Sequence, residues 1–194
     1  MDNPADNELN ELAAGIKQSD RHAFDQLFRY LYPQLVHFAY KYMHDRDAAC
    51  DIVQDAFVLL WQTRQNIDSS RSLKAYLFKI VRNRALNYIR DYYGKTTELN
   101  TDKIHEDRDL SIENIDHHKH KEMSKKFDEW IDQLPERQRE AFELSRYDGL
   151  DHKEIASVMD VSIKTVNNHI VEALRKLRSS YDLYLNEMNS DKNG

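Results

Sequence analysis

The chain has 194 residues, 32% of them charged, and a formal net charge of -6 at pH 7, a length that suits one or two small domains. Only four glycines and three prolines interrupt it, and the abundance of helix-forming residues predicts an all-α protein. The single cysteine, Cys50, excludes an intrachain disulfide and a thiolate metal cluster, and we expect it to be a buried, reduced thiol. Because the chain shows no signal-peptide pattern and no apolar run of transmembrane length, we expect a cytoplasmic protein.

Helical periodicity predicts two helical domains, at residues 1–95 and 123–188. Residues 96–122 between them are polar and aperiodic, which predicts a flexible acidic linker, and residues 189–194 are expected to form a disordered tail. Bases predominate from residue 71 to 95, whereas acids predominate from 97 to 116. Because charge is segregated into blocks, each block is expected to have its own partner.

The first informative helix spans Asp47 to Gln62. Its apolar residues share one broad side, and the other side carries acids and amides with one valine among them. The acids have no lysine partners four residues away, and an exposed valine is typical of a protein contact surface. The sequence therefore predicts either a partner surface or an ordinary solvated face, formed in both cases by Asp51, Gln54, Asp55 and Val58.

The next helix, Ser72 to Tyr92, has an opposite character. One side is apolar, and Arg84 is predicted to point inward with it. The other side interleaves cations and amides with an aromatic ring, namely Tyr76, Lys79, Arg82, Asn83, Asn87 and Arg90. Cations neutralise phosphates, while amides and aromatic rings bind exposed bases. This pattern favours nucleic-acid binding over a basic solubilising face, and the polar loop before the helix, with Asn66 and Ser69, could hold an unstacked base.

The C-terminal domain carries the most specific local pattern. Asp151 and Glu154 form a capping-box pattern that opens a short helix, and Ser162 is placed to cap a second one. A buried stripe is predicted in the second helix at Ile163, Val166, Ile170, Leu174 and Leu177. Two short helices with a tight connection indicate a helix-turn-helix, with a plain helical hairpin as the alternative. In a helix-turn-helix, phosphates and base edges would meet Lys164, Thr165, Asn167, Asn168, Val171 and Glu172.

These three surfaces, in this order, resemble a sigma factor of the extracytoplasmic-function group, within the sigma-70 family of bacterial RNA polymerase subunits. "DIVQDAFVLLWQ" resembles the segment that docks on the β′ clamp helices, and "AYLFKIVRNRALNYIR" the segment that recognises and opens the -10 element. "LPERQREAFELSRYDGLDHKEIASVMDVSIKTVNNHIVEALRKL" resembles the domain that binds the -35 element. The resemblance implies core RNA polymerase, including its β flap, promoter DNA and an anti-sigma factor as partners. It implies no catalysis, cofactor or metal.

Two positions depart from the family pattern. Asp160 stands in the turn where the family usually has glycine, and we expect it to adopt the left-handed conformation at a modest cost. The stretch "NNHIVE", residues 167–172, contains few cations where related proteins often have arginine. By the same resemblance, the linker threads toward the active-site and RNA-exit path of the polymerase, where its acids at residues 97–116 would mimic nucleic acid.

The sequence shares features with two other classes of protein. "KEIASVMDVSIKTVNNHIVEALRKL" also resembles the output domain of two-component response regulators. A response regulator, however, needs an N-terminal receiver of alternating strands and helices. A metal protein or enzyme could use His117, His118 and His120, but these residues lie in the linker without companion carboxylates, and we expect solvated histidines.

Overall fold

A computed structural model of the chain describes residues 4–68, 71–93 and 117–190. All regular elements in these ranges are helical, which confirms the all-α prediction, and none of the described helices is long and apolar enough to cross a membrane. In chain order the elements are α1 (Pro4–Lys17), α2 (Arg21–Met43), α3 (Arg46–Gln62), a 3-10 turn (Arg64–Asn66), α4 (Leu73–Tyr93), α5 (His117–Asp132), α6 (Glu136–Arg146), α7 (His152–Met159) and α8 (Ile163–Ser190).

The described helices divide into two compact units. The first contains α1 to α4, and the second contains α5, α6, α8 and most of α7. The helix α5 begins at His117, so the backbone of residues 117–122 is helical where we expected the end of the linker. The rest of the predicted linker and most of the tail lie outside the described residues, whereas α8 continues to Ser190.

The core of the first unit is an aromatic and aliphatic cluster between α2, α3 and α4. The ring of Phe57 on α3 lies 4.8 Å from that of Phe28 and 6.0 Å from that of Phe24, both on α2. Phe38 of α2 lies 5.0 Å from Phe78 of α4, measured between ring centroids. Because aromatic side chains bury large areas and attract one another edge to face, these pairs fix how α3 and α4 lie on α2.

The structure corrects three predictions in the first unit. Arg82, predicted on the outer face of α4, retains only 5% of its surface exposed. Arg84, predicted to point inward, is partly exposed and pairs with Asp55. Helix α4 packs against both α2 and α3, so its buried arc is wider than a single apolar stripe and includes Arg82. Cys50 is half-buried rather than buried.

The second unit has a core built from α5, α6 and α8. Buried residues of this core are Ile131, Leu134, Phe142, Ala173 and Leu177, with Trp130 packed against them. The predicted stripe of α8 is only partly correct. Ile163 and Leu174 are exposed over 47% and 52% of their surfaces, whereas Ala173 is buried. The buried stripe therefore runs along Val166, Ala173 and Leu177, because the facing helices cover a narrower arc than the wheel predicted.

Candidate nucleic-acid interface

The outer face of α3 is acidic and well defined. Asp45 caps the helix by accepting a hydrogen bond from the backbone N–H of Ala48, 3.0 Å away, and this cap fixes where the helix starts. All four predicted contact residues of this face are exposed to solvent, namely Asp51, Gln54, Asp55 and Val58. Val58 is exposed over 53% of its surface, so the face offers an apolar contact among negative charges.

Asp55 has a cation partner that the sequence did not predict. Arg84 NH1 of α4 lies 2.8 Å from its carboxylate oxygen, and the two side chains are 38% and 65% exposed, arginine first. This arginine comes from the neighbouring helix, 29 positions further along the chain, so the residue pattern of α3 alone could not reveal it. The pair joins the acidic face of α3 to the polar side of α4.

The tyrosine next to this face remains protonated at neutral pH. A hydrogen bond from Gln54 lowers the pKa of the Tyr32 hydroxyl, but a hydrogen bond with Cys50, partial burial and the nearby Asp51 together raise it above its ordinary value. Tyr32 is therefore a neutral polar neighbour of Gln54 and adds no charge to the α3 face.

The outer face of α4 combines amides, cations and an aromatic ring. Ser72 precedes the helix, and its Oγ accepts a hydrogen bond from the backbone N–H of Ala75, 3.1 Å away. Tyr76 is exposed over 41% of its surface, and three further residues of the predicted set are exposed: Asn83, Asn87 and Arg90. Lys79 is half-buried and Arg82 is buried. The face can therefore stack on bases and hydrogen-bond to them, with fewer open cations than the sequence predicted.

The α3–α4 loop, residues 63–72, lies before this face. Its 3-10 turn ends at Asn66, which is exposed, and Ile67 follows as a buried residue. Arg71 Nε lies 3.2 Å from the carboxylate of Asp68 and closes the loop locally. Ser69, the other predicted base contact of this loop, lies outside the described residues.

The helix-turn-helix forms from local signals, as predicted. Asp151 accepts from the backbone N–H of Glu154 and Glu154 accepts from that of Asp151, both at 2.7 Å, so the capping box is confirmed. Asp160 ends α7 in the left-handed conformation, with φ of 57°, as expected. Ser162 Oγ then accepts from the backbone N–H of Thr165 at 3.1 Å and caps α8. Together these contacts fix the turn between the two helices.

The N-terminal half of α8 presents an open polar face. Lys164, Asn167 and Asn168 are exposed, and Val171 is exposed over 61% of its surface. The remaining two predicted contacts are engaged locally. Thr165 is half-buried with its hydroxyl 2.8 Å from Ser162 Oγ, and the carboxylate of Glu172 lies 2.6 Å from Arg175 NH2.

A metal site finds no support in the described ranges. No group of three or more histidine, cysteine or acidic side chains there could hold a metal ion. The backbones of His117, His118 and His120 lie in α5, whereas their side chains are not among the described ones.

Two helical units, one of them a helix-turn-helix with an exposed amide face, are typical of a DNA-binding protein. Comparison with protein families gives its class. Residues 27–93 match the model of sigma-70 region 2, and residues 124–177 match that of sigma-70 region 4, together more than half of the chain. The chain belongs to the sigma-70 family, as a sigma factor of the extracytoplasmic-function group that directs promoter-specific initiation of transcription.

Curated relatives agree with this family over nearly their whole lengths. The chain is 25% identical to the RNA polymerase sigma-H factor of Pseudomonas aeruginosa over 184 residues, which cover 91% of this chain and 95% of the relative. It is also 25% identical to the ECF RNA polymerase sigma-E factor of Escherichia coli K12 over 169 residues, covering 84% and 88%. These similarities do not support the response-regulator alternative, and the described part of the first unit is helical rather than a receiver of strands and helices.

Solved structures support the fold. The structure of CnrH in complex with the cytosolic domain of CnrY matches with a TM-score of 0.59 at 24% identity, covering 91% of this chain and 98% of CnrH. The sigma factor RpoE of Bartonella quintana, solved with the anti-sigma factor NepR, matches with a TM-score of 0.58 at 24% identity, covering 82% and 96%. At this level of identity the two structures establish the arrangement of helices and no residue role.

Proposed function

We propose that this sigma factor divides promoter recognition among three surfaces. The acidic face of α3 docks on the β′ clamp helices of core RNA polymerase. The outer face of α4 and the α3–α4 loop capture the opened -10 strand. The N-terminal half of α8 reads the -35 element as duplex. The chain uses no cofactor and catalyses no reaction itself, because each surface acts by binding.

The α3 face suits a protein partner better than DNA. Asp51 and Asp55 are exposed and negative, so they repel phosphates. Val58, exposed one turn beyond Asp55 on α3, supplies the apolar contact that a protein interface buries at its centre. A basic patch on the polymerase clamp would complement this combination.

The α4 face suits a single strand. Tyr76 offers a ring on which a base can stack, and Asn83 and Asn87 offer amides for base edges. Extruding a base from the duplex costs a few kcal/mol. Contacts with the unstacked base offset that cost, so capture stabilises the melted promoter. Arg82 is not an accessible contact in this scheme because it is buried.

The α8 face suits duplex DNA. The first turns of a recognition helix enter the major groove, where asparagine can bind adenine in a bidentate manner and a methyl-bearing side chain can contact thymine. Asn167, Asn168 and Val171 provide these groups, and Lys164 provides a phosphate contact. So few open cations suit a subunit that binds DNA as part of a holoenzyme, where the polymerase, through contacts that include its β flap, supplies further affinity.

Regulation by an anti-sigma factor in the cytoplasm fits the same assignment. Of two structural relatives, RpoE was solved with the anti-sigma factor NepR and CnrH with the cytosolic domain of CnrY.

We propose a separate role for the acidic segment 97–116, which would occupy the nucleic-acid path of the polymerase. Reversing its acids to lysine should then weaken initiation without abolishing promoter binding, and an unchanged transcript yield would count against this role.

One observation supports this division above the others: α4 and α8 both expose asparagines, whereas α3 exposes acids and a valine. The direct experiment is transcription from genomic fragments by purified core polymerase with and without the chain, followed by mapping of transcript starts. We expect transcripts from a defined set of promoters only when both are present.

The three surfaces are then tested separately in the same assay. Val58→Asp should prevent holoenzyme formation, whereas Asn83→Ala and Asn167→Ala should leave it intact and weaken promoter use. Tight specific duplex binding by the isolated chain, with no gain in transcription, would contradict the proposal.

A further inference from the structure

The last residue of α1 and the corner that follows it are joined to the α3–α4 loop by two long-range hydrogen bonds. Lys17 Nζ donates to the backbone carbonyl of Ile67 over 2.9 Å. Arg64 Nε donates to Ser19 Oγ, also over 2.9 Å. The two bonds connect the α1–α2 corner, residues 17–20, to the two ends of the short segment that contains Asn66.

The α1–α2 corner is a tightly packed support for these bonds. A Cβ atom at Gly15 would lie 2.9 Å from that of Ala23, so the close approach of α1 and α2 requires glycine there. Ser19 has a φ of 68°, and the N–H of Asp20 donates to the carbonyl of Gly15 at 3.0 Å. The backbone from which the Lys17 and Ser19 side chains extend is therefore fixed by packing.

Arg64 is held on more than one side. Its NH1 donates to the backbone carbonyl of Trp61 at 2.7 Å, and its guanidinium carbon lies 4.5 Å from the centre of the Trp61 ring. Trp61 in turn packs on Phe24, with ring centroids 5.1 Å apart. A planar cation over an indole face with two hydrogen bonds has little freedom left, so Arg64 ties the end of α3 to the α1–α2 corner.

These contacts fix the backbone on both sides of Asn66. Arg64 is held two positions before it, and Ile67 is held immediately after it by a buried side chain and by the bond from Lys17 to its carbonyl. Asn66 itself is exposed. Residues 64–67 thus present this amide from a backbone that is held on both sides.

We propose that Lys17 and Arg64 are positioning residues for DNA opening, and that α1 acts as a brace for the loop that captures the unstacked -10 base. This inference rests on the proposed role of the α3–α4 loop in base capture. Part of the brace lies outside the residues that match sigma-70 region 2, because α1 and the α1–α2 corner precede residue 27. Neither side chain needs to contact DNA, because each acts through the position of Asn66 and its neighbours.

The physical reason is preorganisation. A loop that is ordered before it binds loses less conformational entropy at capture, so the bound state is favoured more. Removing the bond from a charged donor to the Ile67 carbonyl should therefore weaken base capture, and a loss of about tenfold corresponds to the free energy that such a bond contributes to ordering this backbone.

The experiment uses holoenzyme assembled from core polymerase and full-length variants. The probe is a non-template -10 oligonucleotide with 2-aminopurine at one position at a time, since its fluorescence rises when that base unstacks. We expect Lys17→Met to weaken oligonucleotide binding about tenfold and to reduce the fluorescence rise at the captured position. Lys17→Arg keeps a donor for the Ile67 carbonyl and should restore both.

Charge loss is separated from positioning by two controls. Arg21→Met removes a cation four positions away that has no bond to the described residues of the loop, and it should bind like the wild type. Loss of a phosphate contact lowers the dependence of log affinity on log salt by about 0.7 for a single strand. We expect Lys17→Met to leave that slope unchanged, and a slope reduced by this amount would overturn the positioning role.

If Lys17→Met lowers thermal stability or core binding, a second variant tests the positioning role. Ser19→Gly removes the acceptor for Arg64 while suiting the left-handed backbone at this position, and it should weaken capture with the thermal midpoint retained. Unchanged capture in Ser19→Gly and Lys17→Met would overturn the inference. The proposed loop function has its own control, Asn66→Ala compared with Gln65→Ala, which leaves Asn66 in place. If Asn66→Ala weakens capture and the brace variants do not, only the inference fails, and if neither does, both fail.

Discussion

The two surfaces that we propose to face DNA are built in different ways. The outer face of α4 lies beside a loop in which residues 64–67 are held by contacts from Lys17 and Ser19, and a neighbouring cation, Arg84, is paired with α3. The face of α8 belongs to one helix, placed by a capping box, a left-handed Asp160 and the cap at Ser162. The first surface depends on tertiary contacts, whereas the second depends on local ones.

This difference matches the two proposed ligands, a single strand and a duplex. A single strand has no fixed shape, so a protein must supply the shape with an ordered loop and a stacking ring. A duplex has a regular major groove that accepts a helix, so a capped helix with exposed amides suffices. Changes in the first unit should therefore affect strand opening, and changes in α8 should affect duplex recognition.

The largest effect is expected from removing the reading side chains of α4. Tyr76→Ala, Asn83→Ala and Asn87→Ala combined should reduce transcription from a linear duplex promoter by at least about a hundredfold, because each stacked base contributes about 1–3 kcal/mol. The measurement is run-off transcript yield from holoenzyme. Tyr30→Ala removes a similarly exposed ring from α2 and should retain the oligonucleotide binding of the wild type. An equal loss of -35 duplex binding in the triple variant would break the comparison.

The next effect is expected in α8. Asn167→Ala and Asn168→Ala should each lower discrimination between the correct and an altered -35 element by about 1–3 kcal/mol. Competition binding of holoenzyme to promoter fragments measures this discrimination. The control is Lys164→Ala, which should weaken all fragments alike and lower the salt slope by about 1. If the asparagine variants discriminate as well as the wild type, the recognition helix reads bases with other residues.

A smaller effect is expected from the cap that places the helix-turn-helix. Asp151→Ala removes one half of the capping box and should destabilise the second unit by about 1 kcal/mol, which lowers the thermal midpoint of this unit by about 4–8 °C. Asp182→Ala removes an exposed acid of α8 and should change the midpoint by less than a third of that. Calorimetry of the full chain measures both, and equal shifts would show that the box is not the cause.

The smallest effect is expected at the pair between α3 and α4. Because both side chains are partly exposed, a double-mutant cycle of Arg84→Met and Asp55→Asn should give a coupling energy of about 0.2–1 kcal/mol in unfolding. The affinity for core polymerase should fall in Asp55→Asn and remain at the wild-type level in Arg84→Met. A fall with Arg84→Met alone would mean that the arginine itself contacts the polymerase.

The same local-versus-tertiary distinction explains what the sequence could predict. The capping box, the Asp160 turn and the cap at Ser162 follow from residues within four positions of one another, and all three are confirmed. The bond from Lys17 to Ile67 spans 50 positions and that from Arg64 to Ser19 spans 45, so no periodicity could reveal them. The buried Arg82 and the exposed Leu174 have the same cause, because a helical wheel does not show how many neighbours cover a helix.

The division of labour between α4 and α8 can be tested directly in one binding measurement. Holoenzymes carrying the α4 triple variant or the double variant Asn167→Ala with Asn168→Ala are titrated with a single-stranded -10 oligonucleotide and with a duplex -35 fragment. We expect the α4 variant to lose binding of the oligonucleotide and retain binding of the duplex, and the α8 variant to do the reverse. Loss of both ligands by either variant at unchanged core binding, or an exchange of the two patterns, would contradict this division of labour.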